Sequence, residues 1–76
     1  MKLSELKQGE SAVIKSFDSM PLDTRKKLMV MGVLPKTPVT LIRRAPLGDP
    51  LQVDVRGVSL ALRHNIAAQI TVEISE

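Results

Sequence analysis

Two alternating runs separated by two residues set the strongest limit on how this 76-residue chain can fold. In Leu51-Gln52-Val53-Asp54-Val55, strand alternation puts Leu51, Val53 and Val55 on one side, with Gln52, Asp54 and Arg56 on the other. Arg56-Gly57 then leads into Val58-Ser59-Leu60-Ala61-Leu62, where Val58, Leu60 and Leu62 repeat the period. The pattern predicts a β-hairpin with one dry and one wet face. A one-residue slip would turn the whole apolar set outward, so the register is strongly specified. Just before the hairpin, Ala45-Pro46-Leu47-Gly48-Asp49-Pro50 is a loop stiffened by two prolines and preceded by Arg43 and Arg44.

The remaining elements are short. Leu3-Ser4-Glu5-Leu6 reads as a turn of helix or an ordered arm ending near Gly9, and Ser11 to Phe17 as a first strand, with Ala12, Ile14 and Ser16 alternating against Val13, Lys15 and Phe17. Asp18-Ser19-Met20-Pro21 is a breaker cluster that opens a helix. Proline suits a first turn, and Asp23 suits the positive end of the helix dipole. That helix is expected to run to Met31, with Gly32 just past its end and Pro35 barring continuation. The Met29-Val30-Met31 and Val33-Leu34 cluster is assigned mostly to the core. Pro38 opens the next strand, with Val39, Leu41 and Arg43 pointing one way and Thr40 and Ile42 the other. Arg63 to Ala68 reads as a single helical turn. In a last strand Ile70, Val72 and Ile74 alternate with Thr71, Glu73 and Ser75. Five short strands, one inserted helix and one or two helical turns, in this order, predict a mainly β, SH3-like barrel comprising residues 1–76 as a single domain. A small mixed α+β sandwich is the alternative.

Composition narrows the function classes. Phe17 is the sole aromatic residue and there is no cysteine, so the core is aliphatic and disulfides and thiolate metal sites are excluded. A groove for proline-rich peptides needs Tyr and Trp, and single-stranded nucleic acid is usually held by stacking on aromatics, so both modes are disfavoured. His64 is the single histidine, with no carboxylate at a motif spacing, and no glycine-rich phosphate loop exists; no catalytic residue, cofactor or specific metal site is expected. The net charge of +3 conceals a basic middle: Arg25, Lys26, Lys27, Lys36, Arg43, Arg44, Arg56 and Arg63 stand against Asp49 and Asp54. These cations are either simply solvated or face an acidic protein, a nucleic acid or an anionic membrane. The longest apolar run is far short of a bilayer span, and no apolar signal segment follows Met1-Lys2-Leu3. The expected location is cytoplasmic, or peripheral to a membrane through a partner.

What remains is a protein-binding module. Arg43, Arg44, Pro46, Leu47, Gly48, Asp49 and Pro50 form the candidate partner surface, because a pre-stiffened loop loses little entropy on binding. Leu47 is either its exposed anchor or folded back on the barrel rim, and Asp49 is expected to cap backbone amides in the turn.

The chain also resembles the ferrous iron transport protein A (FeoA) family. The resemblance is carried by Ala45-Pro46-Leu47-Gly48-Asp49-Pro50, by Leu60-Ala61-Leu62-Arg63 followed by Ala67, and by Lys27-Leu28 leading to Met31-Gly32 and Leu34-Pro35. It covers nearly the whole chain. In one departure, Lys36 stands where the family usually has glycine after the proline, and Pro-Lys fits a type I turn more easily than type II. The resemblance implies the same SH3-like fold, similar also to the C-terminal domain of iron-dependent repressors. It further implies a non-enzymatic regulatory or adaptor role in ferrous iron uptake, docking on the cytosolic GTP-binding part of the membrane transporter FeoB. A homo-oligomer is compatible with it, whereas specific nucleic-acid binding and direct membrane insertion are not expected. The rival readings are a basic small barrel associated with nucleic acid or the ribosome, and a metal-sensing repressor-type domain.

Overall fold

The hairpin forms in the expected register and its alternation holds in the first strand; in the second, Leu62 is buried, Leu60 is half-buried and Val58 is exposed, because this strand is an outer edge of the sheet. In a computed structural model that describes residues 1–74, strand β1 spans Ser11–Phe17, helix α1 Leu22–Val30, β2 Pro38–Arg44, β3 Leu51–Val55, β4 Val58–Leu62, helix α2 His64–Ala67 and β5 Ile70–Ile74, after a 3-10 helix at Leu3–Glu5. Ser75, expected at the end of the last strand, lies outside the described residues. The strands form one antiparallel sheet in the order β4-β3-β2-β1-β5. Leu51, Val53 and Val55 are buried, and Val53 pairs with Leu60. Arg56 and Gly57 both have positive φ, +54° and +85°, the type I′ geometry that matches strand twist. The Asp54 carboxylate accepts the Gly57 N–H at 2.9 Å and braces that turn.

Two bulges correct the expected alternation. One, between Ile14 and Ser16, moves Phe17 opposite buried Ile70 and leaves Ser16 opposite Thr71, so Phe17 rather than Ser16 joins the core face. The other, between Leu41 and Arg43, sets Arg43 opposite exposed Gln52 and Arg44 opposite buried Leu51. Cross-strand partners share a face, so Arg43 leaves the side of Val39 and Leu41 and Arg44 turns inward. Each extra residue also bends its strand and increases twist, which curls a five-stranded sheet around a core drawn from every strand. The edge at β5 is covered by the start of the chain: Lys2 bridges Thr71, and the Val72 N–H donates to the Met1 carbonyl at 2.8 Å. Lys2 also pairs with Asp18, whose carboxylate accepts the Thr71 hydroxyl as well.

Helix α1 ends as expected. Gly32 has φ +92°, its N–H donates to Met29 O and the Val33 N–H to Leu28 O at 2.9 Å, a Schellman closure with Leu28 and Val33 both buried. The following turn differs from expectation. Lys36 has φ +68°, and the Thr37 N–H donates to Leu34 O across it, so Pro35-Lys36 keeps the glycine-type turn. Two hydrogen bonds to β1 hold it there: Lys36 N–H to Ile14 O at 2.7 Å and Ile14 N–H to Thr37 O at 3.0 Å.

The apolar cluster at the end of α1 is not the core component its composition suggests. Leu28 and Val33 are buried, but Met29, Val30 and Met31 are exposed, Val30 at 88%. The helix is an insertion between β1 and β2 that rests on the sheet along one row, and no second layer covers its back among the described residues.

Candidate partner-binding loop

The loop between β2 and β3 is held from inside by its own backbone. The Gly48 N–H donates to Ala45 O at 2.7 Å, closing a turn with Pro46 in its second position, and the Ala45 N–H donates to Pro50 O at 3.1 Å, tying the two ends together. Gly48 has φ +84°, which a side-chain-free residue adopts without strain. The Asp49–Pro50 peptide bond is cis. Leu47 projects from this frame with 96% of its surface exposed, so it is not folded on the rim. Pro46 and Pro50 are exposed beside it.

Asp49 and Arg44 serve the frame. One Asp49 carboxylate oxygen accepts the backbone N–H of His64 at 2.9 Å. It therefore caps a backbone amide as expected, although in α2, fifteen residues on, and not in its own turn. Arg44, turned inward by the β2 bulge, donates to the carbonyls of Ser4 and Leu6, the latter at 2.8 Å. It thereby satisfies carbonyls at the end of the 3-10 helix. Arg43, shifted by the same bulge to the wet face opposite Gln52, is exposed.

Residues remote in sequence complete the surroundings. Arg43, Ala45 and Pro50 share an open hollow of about 340 Å³ with Gln52, Ser59, Leu60 and Ala61, and the Gln52 amide donates to Ser59 Oγ at 2.8 Å on its floor. A second hollow of similar volume, on the Asp49–Pro50 side, is lined by Ala61 and Arg63. Arg63 and the wet-face residues of the hairpin were not among the candidate site residues. Alternation placed Gln52 and Ser59 outward, but their position beside the loop depends on how the hairpin packs. The site thus presents an apolar tip, two shallow hollows and the cations Arg43 and Arg63. Among the described residues no three histidine or carboxylate side chains come together as metal ligands.

The FeoA domain family model matches residues 1–74. This chain belongs to the FeoA family.

The family is associated with ferrous iron transport. An Fe(2+) transport protein A/Fe(2+) transporter FeoB fusion protein of Porphyromonas gingivalis is 35% identical over 97% of this chain, which spans 9% of the fusion. The solution structure of a Chlorobium tepidum FeoA is 42% identical, with a TM-score of 0.93 over 100% of this chain and 71% of that one. The FeoA of Stenotrophomonas maltophilia, crystallised with zinc and described as a procaryotic SH3 domain protein, is 30% identical, with a TM-score of 0.82 over 96% of this chain and 89% of that one. At 21% identity, T. acidophilum IdeR shares the fold, with a TM-score of 0.85 over 99% of this chain and 34% of that one. Mainly β architecture of the SH3-like type, FeoA membership and likeness to the repressor domain therefore stand.

Proposed function

We propose that this chain is a cytosolic, non-enzymatic accessory domain of ferrous iron uptake. It docks through Arg43 and the Ala45–Pro50 loop on the cytosolic GTP-binding part of FeoB and biases that part's conformation or nucleotide cycle. The observation that carries this reading is Leu47, an apolar side chain 96% exposed on a loop whose ends and turn are already fixed by hydrogen bonds. An anchor presented this way binds without the entropic cost of ordering a flexible segment. The fused relative supports the choice of partner, since one polypeptide there joins the two proteins. Arg44 and Asp49 hold the loop from behind, Pro46, Gly48 and Pro50 shape it, and Arg43 and Arg63 supply charge at the rim.

The test is titration of this chain against the isolated cytosolic part of FeoB. Leu47→Asp should weaken binding about thirtyfold, the scale of a buried anchor near 2 kcal/mol, with no change in melting temperature. Arg43→Glu should slow association and flatten its salt dependence. A Leu47→Asp protein that binds normally would remove this loop from the interface.

A further inference from the structure

Helix α1 is apolar on two sides and covered on one. Its inner row buries Leu28, while on the outside Leu22 is 60% and Val30 88% exposed, with Met29 and Met31 beside them. Between Leu22 and Leu28 the helix is polar, with Asp23, Thr24, Arg25, Lys26 and Lys27 in its middle. Leu22, Lys26 and Val30 lie four residues apart and so form one outward row, with the ammonium-bearing residue in the middle. The stems of Lys26 and Lys27 join Val30 and Met31 in lining one shallow apolar depression. Arg25 is half-buried on the Leu28 side and takes no part in this face, and Asp23 is the one acidic residue of the helix.

We propose that the outer face of α1 is a docking surface for an anionic lipid bilayer, with the helix lying in the headgroup layer. The order Leu22, Lys26, Val30 decides the kind of partner. A protein covering both apolar residues would enclose the Lys26 ammonium, and lysine is depleted at protein interfaces because its compact charge is strongly hydrated. A headgroup layer accepts the same order. Lysine stems lie along the apolar side chains while their charged ends reach lipid phosphates. No helix among the described residues is long and apolar enough to cross a membrane, so the contact is adsorption. It shares no residue with the Ala45–Pro50 loop, and an accessory domain of a membrane transporter would work beside such a surface.

Cosedimentation of the 76-residue chain with vesicles of phosphatidylglycerol, and separately of phosphatidylcholine, tests the proposal. The chain should pellet with the anionic lipid alone, and less as salt is added. Each lysine against an anionic surface contributes about fivefold, so Lys26→Gln with Lys27→Gln should weaken partitioning about twenty-five-fold. Val30→Ser should weaken it several-fold, and both variants replace exposed side chains, so their melts should match the parent. Leu47→Asp should pellet like the parent, which separates this surface from the proposed protein interface. Equal pelleting with both lipids, pelleting with neither, or binding that survives both α1 variants would overturn the proposal. So would self-association in the absence of lipid that Val30→Ser abolishes, since the face would then belong to a second copy.

Discussion

Strand β3 and helix α1 carry similar apolar content and use it in opposite ways. All three apolar residues of β3 are at most 2% exposed. Of the four in α1, Leu22, Leu28, Met29 and Val30, Leu28 alone is buried. The difference lies in their neighbours. β3 has a strand on each side and the core beneath it, so hydrogen bonding and burial fix the same register. α1 satisfies its backbone internally and meets the sheet along one row, so nothing obliges the rest of its surface to be covered. Apolar content sets how much surface prefers to leave water; topology decides which of it does.

Substitutions can break or sharpen this contrast. Leu51→Ala removes a fully buried side chain of β3 and should cost roughly 2–5 kcal/mol in urea unfolding. Leu28→Ala is the severest test of the helix and should cost roughly 2–3 kcal/mol; a loss below about 1 kcal/mol would mean that α1 is hardly anchored at all. Arg44→Gln strips charged hydrogen bonds from the Ser4 and Leu6 carbonyls, and should lower stability by about 1–2 kcal/mol in the same assay. Arg56→Asn should act in the other direction. It puts the preferred residue at the first left-handed position of the hairpin turn and should raise stability by up to about 1 kcal/mol in the same assay. The smallest effect is expected at Val30→Ala, within about 0.5 kcal/mol and on the stabilising side, because alanine is the better helix former at an exposed site. A clear destabilisation there would show that the outer face of α1 is already covered in solution.

The loop and hairpin were largely legible because their signals are local. Two prolines, a glycine and a period of two residues act through their own backbone, so the turn and the dry face of β3 follow directly, whereas Val58 of β4 lies exposed at the sheet edge. Arg44 and Asp49 were less legible. As sequence they are a charge beside a loop and an acid within it, and both were assigned to the candidate partner surface. In the structure their side chains hold distant backbone groups, at Ser4 and Leu6 and at His64. Neither contact has a sequence signature, because each joins segments whose proximity arises only when the sheet curls.

Sequence alone determined the order of the elements, the helix stop at Gly32, the hairpin register and the absence of an aromatic platform or thiolate site. These depend on side-chain type and on spacing within one element. Tertiary structure decided the rest. Bulges in β1 and β2 changed which residues face inward, and hydrogen bonds to β1 hold Lys36 in a glycine-like conformation. Packing left Leu47 and Val30 in solvent while burying residues of similar hydrophobicity. Burial is a property of neighbours, and a chain of 76 residues has too few layers to cover every apolar side chain it carries.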